Sequence, residues 1–240
     1  MTFQDKPITY EEKRKFRYQL QDYMKDVFRF DVFSGKKILE LGSGAGIDSA
    51  EFLRNGAQVV SLDFSPLSAM STKLLLREAN LDGYILLADS RHLPFNSSQF
   101  DLVYSFGVIH HIPDVSKVLE EVTRVLKSGG SFMGMVYNRD SLLYAYSIVY
   151  LHGIKDGLLA KDLSEGEITA KFSERFTGNV YTMVYTKEQL TDLLKRFFDS
   201  VWVGTCYNVI DTTDERKVKF QLEGNRNDLG WHLVFKASKQ

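Results

Sequence analysis

The chain has 240 residues, 44% of them hydrophobic and 25% charged, with a formal net charge of −1. That length fits one α/β domain with insertions and is enough to bury a substantial core. A near-neutral chain supplies no global field to recruit nucleic acid or an anionic membrane, and the single cysteine, Cys206, excludes an internal disulfide and a cysteine-based metal site. The first residues hold no apolar h-region, so a secretory signal is not expected. The longest apolar stretch, Leu142 to Leu151, is too short to span a bilayer, and a cytoplasmic location is the resulting expectation.

Residues from about Tyr10 to Phe33 mix charges and aromatics at helical spacing, which predicts one or two helices. KKILELG follows as a strand in which Ile38, Leu39 and Leu41 suit burial and Glu40 sits at the end. Gly42, Gly44 and Gly46 then alternate through a turn, and a helix runs from Ile47 to Asn55, with Gly56 as its stop. AQVVSLDFS is a second strand ending in Asp63, and Pro66 to Ala79 is a helix with apolar residues at i, i+3 and i+4. YILLADS is a third strand ending in Asp89, and FDLVYSFG is a fourth. A helix over Val115 to Leu126 is stopped by Ser128-Gly129-Gly130, and SFMGMVYN is a fifth strand. Strands and helices alternating in this way imply βαβ units and a mainly parallel sheet.

After Asn138 the pattern breaks. Asp140 to Tyr185 shows no clear alternation, and an interruption of this length predicts a functional lid. A helix returns over Thr186 to Phe198 with Thr186 as N-cap, and VWVGTCYNV and GWHLVFKA read as two late strands. The charged run DERKVKF between them is expected to be a solvated loop. The predicted organisation is a single domain with an N-terminal helical flap (1–35), a cofactor-binding core (36–137), an acceptor-covering insertion (138–185) and a C-terminal helix and strand pair (186–240).

The glycine turn lets backbone approach a ligand, because glycine has no Cβ and tolerates positive φ. A dinucleotide fingerprint would place its third glycine at Ile47, and a phosphate-cradling loop would need Gly-Lys-Ser/Thr, which is absent. Instead, three acids, Glu40, Asp63 and Asp89, fall at the ends of the first three strands. In an open α/β sheet such ends converge on one crevice. There Asp63 can accept the two hydroxyls of a ribose, and Asp89 with Ser90 can receive an exocyclic amine.

At this point the chain resembles the class I S-adenosylmethionine-dependent methyltransferases. The resemblance runs through ILELGSGAG, VVSLDFS, LADSRHLPF, FDLVYSFGVIHHIPD and EVTRVLKSGGSFMGMVY, in unbroken order over roughly Lys36 to Tyr137. The segment upstream looks like a subgroup that methylates small molecules. The resemblance implies a Rossmann-like, doubly wound, mainly parallel seven-stranded sheet with helices on both faces and an insertion after the fifth strand. It also implies S-adenosyl-L-methionine as cofactor. Gly42, Ser43 and Gly44 would approach the methionine part, and Glu40 would hold its amino group. Asp63 would bind the ribose, Phe64 would pack on the adenine, and Asp89 and Ser90 would read the adenine edge. Ser105 would present backbone to the methionine part. Carboxylates stand where a phosphate site would have lysine, because this cofactor carries a sulfonium and an ammonium but no phosphate.

A sulfonium methyl is already activated, so in-line transfer can rest largely on proximity and alignment. His110 and His111, after the fourth strand, are the candidates for a base or for orienting the acceptor. Tyr137, Asn138 and Tyr144 are candidates to face the acceptor, and Tyr10, Phe16, Arg17 and Tyr18 to form a flap over the cofactor. No clustered spacing suggests a metal site. The expected reaction is methyl transfer to a small molecule. A methyltransferase acting on RNA or protein and a non-catalytic cofactor-binding module stand as alternatives. The absence of a basic stripe weighs against RNA, and Ile47 weighs against a nicotinamide oxidoreductase.

Overall fold

A computed structural model describes residues 8–161, 163–173, 181–206 and 229–240. The run DERKVKF and the end of the first late strand lie outside the described residues. Two short helices come first, α1 (Tyr10–Leu20) and α2 (Met24–Phe28), followed by a 3₁₀ turn at Phe30–Phe33. The core then alternates through β1 (Lys37–Leu41), α3 (Ile47–Arg54), β2 (Gln58–Asp63), α4 (Pro66–Glu78), β3 (Tyr84–Leu87), β4 (Phe100–Phe106), α5 (Val115–Val125) and β5 (Leu126–Tyr137). The chain closes with a π-helix (Tyr144–Lys155), α6 (Glu165–Ser173), α7 (Lys187–Lys195), β6 (Ser200–Cys206) and β7 (His232–Ser238).

One seven-stranded sheet has the order β3-β2-β1-β4-β5-β7-β6. The first five strands are parallel, and β7 runs antiparallel to both β5 and β6. This is the expected Rossmann-like sheet. β1 is buried from Ile38 to Leu41 because both its faces are covered, as parallel strands require. Leu39 and Leu41 point into a core with Val103, Val122, Leu190 and Phe198, on the side of α5 and α7. Ile38 points the other way, among Phe28, Phe52, Leu102 and Tyr104, under the N-terminal helices. Glu40 shares that second face by the two-residue period of a strand.

Three boundaries differ from the sequence reading. β3 stops at Leu87, so Asp89 lies two residues past the strand. β5 begins at Leu126 and runs through Ser128-Gly129-Gly130, with a register shift opposite Phe100 to Leu102 that absorbs the positive φ of Gly129. α7 ends at Lys195, and Phe198 is buried beyond it. The segment after Asn138 leaves and rejoins the sheet at one place, where Asn138 bridges Tyr185. Its first helix has the wider π winding, which explains why no 3.6-residue period was visible there.

Candidate active site

The glycine turn sits where the parallel strands end. Gly42 and Ser43 both donate to the Leu62 carbonyl, at 2.7 and 3.2 Å, which ties the turn to β2. Gly42, Gly44 and Gly46 all have positive φ. A Cβ on Gly42 would strike the Val108 side chain, and one on Gly46 would meet Thr72 at 2.8 Å. Gly44 is different: a Cβ there would meet nothing within 4 Å, because it faces an open crevice. Asp63, at the end of β2, accepts from the Gly44 amide at 2.9 Å and from the Ser65 amide at 2.8 Å, one bond to each oxygen.

Two lobes of the crevice meet at Gly42. The larger, of about 320 Å³, is lined by Asp63, Phe64, Asp89, Ser90, Arg91, Gly107, Val108 and His111. The smaller, of about 180 Å³, is lined by Arg17, Glu40, Ser43, Gly44, Asp48 and Phe106. Phe64 is 74% exposed, an aromatic ring held out at the rim of the larger lobe. Asp89 is gripped by Arg91 through the side chain, with Nη2 to Oδ2 at 2.6 Å, and through the Arg91 amide at 2.9 Å. Hydrogen bonding from Arg91 holds the Asp89 carboxyl below its usual range.

The smaller lobe has opposite charges on its walls. Glu40 is buried and accepts from Ser49 Oγ, which also meets Ser61 Oγ at 2.6 Å. Burial, with the Asp48 charge adding to it, pushes Glu40 up to about 8. Arg17 reaches in from α1 and forks onto Asp48, Nε to Oδ1 at 3.2 Å and Nη2 to Oδ2 at 2.5 Å. Asp48 also accepts from the hydroxyls of Tyr18 and Tyr104, both at 3.1 Å. The Arg17 guanidinium lies 4.4 Å from the centre of the Phe106 ring. A second pair, Arg14 with Glu51, and a bond from the Tyr10 amide to Glu78 at 2.6 Å anchor α1 on α3 and α4.

The two histidines part company. His111 lines the larger lobe, and its Nδ1 lies 3.0 Å from the Tyr181 carbonyl. A carbonyl only accepts, so Nδ1 carries the proton and Nε2 the lone pair. His110 lies behind that wall, fully buried, and neither ring nitrogen has a hydrogen-bond partner among the described residues. Burial, with His111 and His232 adding to it, holds His110 well below the ordinary histidine value.

Other expected residues fall away from the crevice. Ser105 is fully buried, its Oγ 3.4 Å from the Leu41 carbonyl; the next two residues, Phe106 and Gly107, line the lobes instead. Asn138 spends its amide on structure, donating to Gly230 O at 2.8 Å and accepting from the Asp140 amide at 3.0 Å. The Tyr144 hydroxyl donates to Glu165 at 2.6 Å and pins the π-helix to α6. Tyr137 stays near the site, with its ring 4.2 Å from His110 and stacked on Trp231 at 4.4 Å. Arg91, Asp48, Trp231 and His232 escaped the sequence reading. Arg91 could have been found from its place two residues after Asp89; Trp231 and His232 come to Tyr137 through the antiparallel pairing of β7 with β5.

A family model described as a methyltransferase domain matches residues 39–134. A ubiquinone biosynthesis O-methyltransferase of Paramagnetospirillum magneticum is 32% identical over 117 residues, 49% of this chain and 47% of that protein. A demethylmenaquinone methyltransferase of Thermobifida fusca is 38% identical over 102 residues, 42% of this chain and 43% of that protein. The chain thus spans about half the length of the curated relatives it matches first. Among solved structures, a S-adenosylmethionine-dependent methyltransferase of Methanosarcina mazei has a TM-score of 0.61 at 21% identity, covering 86% of this chain and 93% of that one.

Proposed function

We propose that this chain, whose residues 39–134 match the methyltransferase-domain model, transfers a methyl group from S-adenosylmethionine to a small, ring-bearing acceptor. The observation that carries this reading is the two-lobed crevice joined at Gly42. Its smaller lobe sets Arg17 to meet a carboxylate, and the Glu40 carboxyl with Asp48 to accept from an ammonium, the two charged ends of an amino acid. Its larger lobe offers Asp63 for ribose hydroxyls and Phe64, Asp89 and Ser90 for an adenine. Neither lobe holds a lysine, as suits a cofactor without phosphate. The residues therefore fit S-adenosylmethionine, which supplies an activated methyl group when bound.

The chain's own residues would then position and deprotonate. Gly42 and Gly44 keep the crevice open where the two lobes meet. His111, with its lone pair on Nε2, is the base for an acceptor hydroxyl, and the Tyr181 carbonyl holds it in that tautomer. Behind it the Tyr137 ring packs on His110 and stacks on Trp231. The names of two relatives, an O-methyltransferase of ubiquinone biosynthesis and a demethylmenaquinone methyltransferase, support an acceptor with an oxygenated ring.

The test is incubation with methyl-labelled S-adenosylmethionine and a panel of hydroxylated aromatic acceptors. Label should appear in an extractable small product. Label found only in RNA or protein would overturn the reading.

A further inference from the structure

His110 is a polar side chain with no work in the protein as folded. It is fully buried, and both ring nitrogens lack a hydrogen-bond partner among the described residues. Buried donors and acceptors left in this state cost free energy, so they are rare. The rings of His111 and Tyr137 lie 4.1 and 4.2 Å from it, both tilted by nearly 50°, and satisfy neither nitrogen. Its neighbours in sequence, Val108, His111 and Ile112, all line the larger lobe, so its ring sits one side chain behind the crevice wall. On the other side residues 181–185 cover it: the Met183 amide donates to the His110 carbonyl at 2.9 Å, the Tyr185 amide to the Tyr137 carbonyl at 3.0 Å, and the Arg139 amide to the Tyr185 carbonyl at 2.9 Å.

We propose that His110 is the residue that selects the acceptor, by hydrogen bonding to a neutral polar group on it once Met183 and Tyr185 release their bonds, with the Tyr181 carbonyl staying on His111. A neutral imidazole has one N–H donor and one bare nitrogen, so it matches a hydroxyl or a carbonyl. Burial keeps the imidazole uncharged, which suits such a partner and gives a carboxylate no cation to meet. An acceptor that lacks this group leaves the imidazole unpaired, and sites of that kind reject such analogues strongly. His110 is thus a binding and positioning residue, and the proton is removed by His111. This inference rests on the proposed methyl transfer, and it explains why two adjacent histidines are needed.

Two measurements on the full chain test it. The first is thermal unfolding without ligand. Replacing an unpaired buried imidazole by a ring of similar size removes an unsatisfied group, so His110→Phe should raise the melting temperature; a lowered one would overturn the proposal. The second is kinetics with labelled S-adenosylmethionine and the hydroxylated aromatic acceptors. His110→Phe should lower kcat/KM by about 100-fold or more, mainly through KM, and His110→Asn should restore part of it. A His110→Phe enzyme with the wild-type KM would overturn the proposal while leaving methyl transfer intact. If wild-type protein labels no acceptor, it is the proposed function that fails, and the melting comparison still decides whether the imidazole is unsatisfied.

Discussion

His111 Nδ1 faces the Tyr181 carbonyl at 3.0 Å and the Thr182 hydroxyl at 3.3 Å, and since a carbonyl only accepts, the shorter contact favours the proton on Nδ1. His111→Ala should lower kcat by roughly 10²–10⁴-fold, the usual contribution of a general base, with little change in cofactor affinity. A fall of less than about tenfold in steady-state turnover would show that alignment alone drives transfer. The glycines of the turn separate in the same way. Gly44→Ala has room for its Cβ but must hold φ near +55°, a strain of about 1–2 kcal/mol for an L-residue. It should fold with a slightly lowered melting temperature and bind S-adenosylhomocysteine at least about tenfold more weakly, whereas Gly42→Ala, which meets Val108, should lose the fold itself more severely. Equal affinity in Gly44→Ala and wild type would make the turn purely structural. At this scale the sequence was legible where a residue's role follows from its place at a strand end. Glu40, Gly42, Gly44, Asp63, Phe64, Asp89 and Ser90 all border the two lobes, and Gly46 packs on Thr72 instead. The sequence was misleading for Ser105, Asn138 and Tyr144, whose partners are set by packing across the fold. The pairing of His110 with His111 was visible, but not which one faces the crevice, because that depends on the turn of a 3₁₀ helix over Ile109–His111.

Helix α1 begins at a strong local signal, a capping box in which Thr9 and Glu12 satisfy each other's backbone amides. Its position comes from the ion pairs to α3, and Arg17 is the part of it that reaches the smaller lobe. The helix is therefore coupled to the crevice through one side chain. Arg17→Met should weaken S-adenosylhomocysteine binding by about 1–3 kcal/mol, the scale of a hydrogen bond to a charged group. It should also speed amide hydrogen exchange in Tyr10–Leu20. Unchanged exchange and unchanged affinity together would show that α1 packs without serving the site. The sequence showed the helix and suggested a flap, yet could not show the contact, since Arg17 and Asp48 are far apart in the chain. Strand β5 teaches a related lesson. Ser128-Gly129-Gly130 marks a local break, but the ladder to β4 carries the strand through it by a register shift. Local punctuation reads backbone preference; the neighbouring strand decides whether pairing continues.

For the whole molecule, three buried titratable groups set the response to pH. Folded Glu40 keeps its proton up to about 8, against 4.5 for the free group, so the folded chain binds more protons across that window. Its contribution to stability therefore falls as pH rises from 4.5 to 8. His232, pushed down to about 3 mainly by burial, acts in the opposite direction: the unfolded chain takes up a proton below 6.5 that the folded chain refuses. Stability is then lost as pH falls below 6.5, and His110 adds to that loss. Stability should peak near the ordinary histidine value and decline toward pH 8 by an amount on the order of a few kcal/mol at most. Calorimetric melting across this range should show the decline, and Glu40→Gln should remove it. A melting temperature that climbs steadily to pH 8 would contradict the assignment. The mainly parallel sheet was legible from the βαβ rhythm; the strand order and the antiparallel return of β7 were not, because nothing local to GWHLVFKA specifies its partners. The central claim is that Glu40, Asp63 and the glycine turn form one site for S-adenosylmethionine. Isothermal titration of the full chain with S-adenosylhomocysteine tests it most directly. We predict a single site in the wild-type protein, weakened by about 1–3 kcal/mol in a folded Asp63→Ala variant, and no heat with NAD. Unchanged affinity in Asp63→Ala, or binding of NAD in place of S-adenosylhomocysteine, would contradict the account.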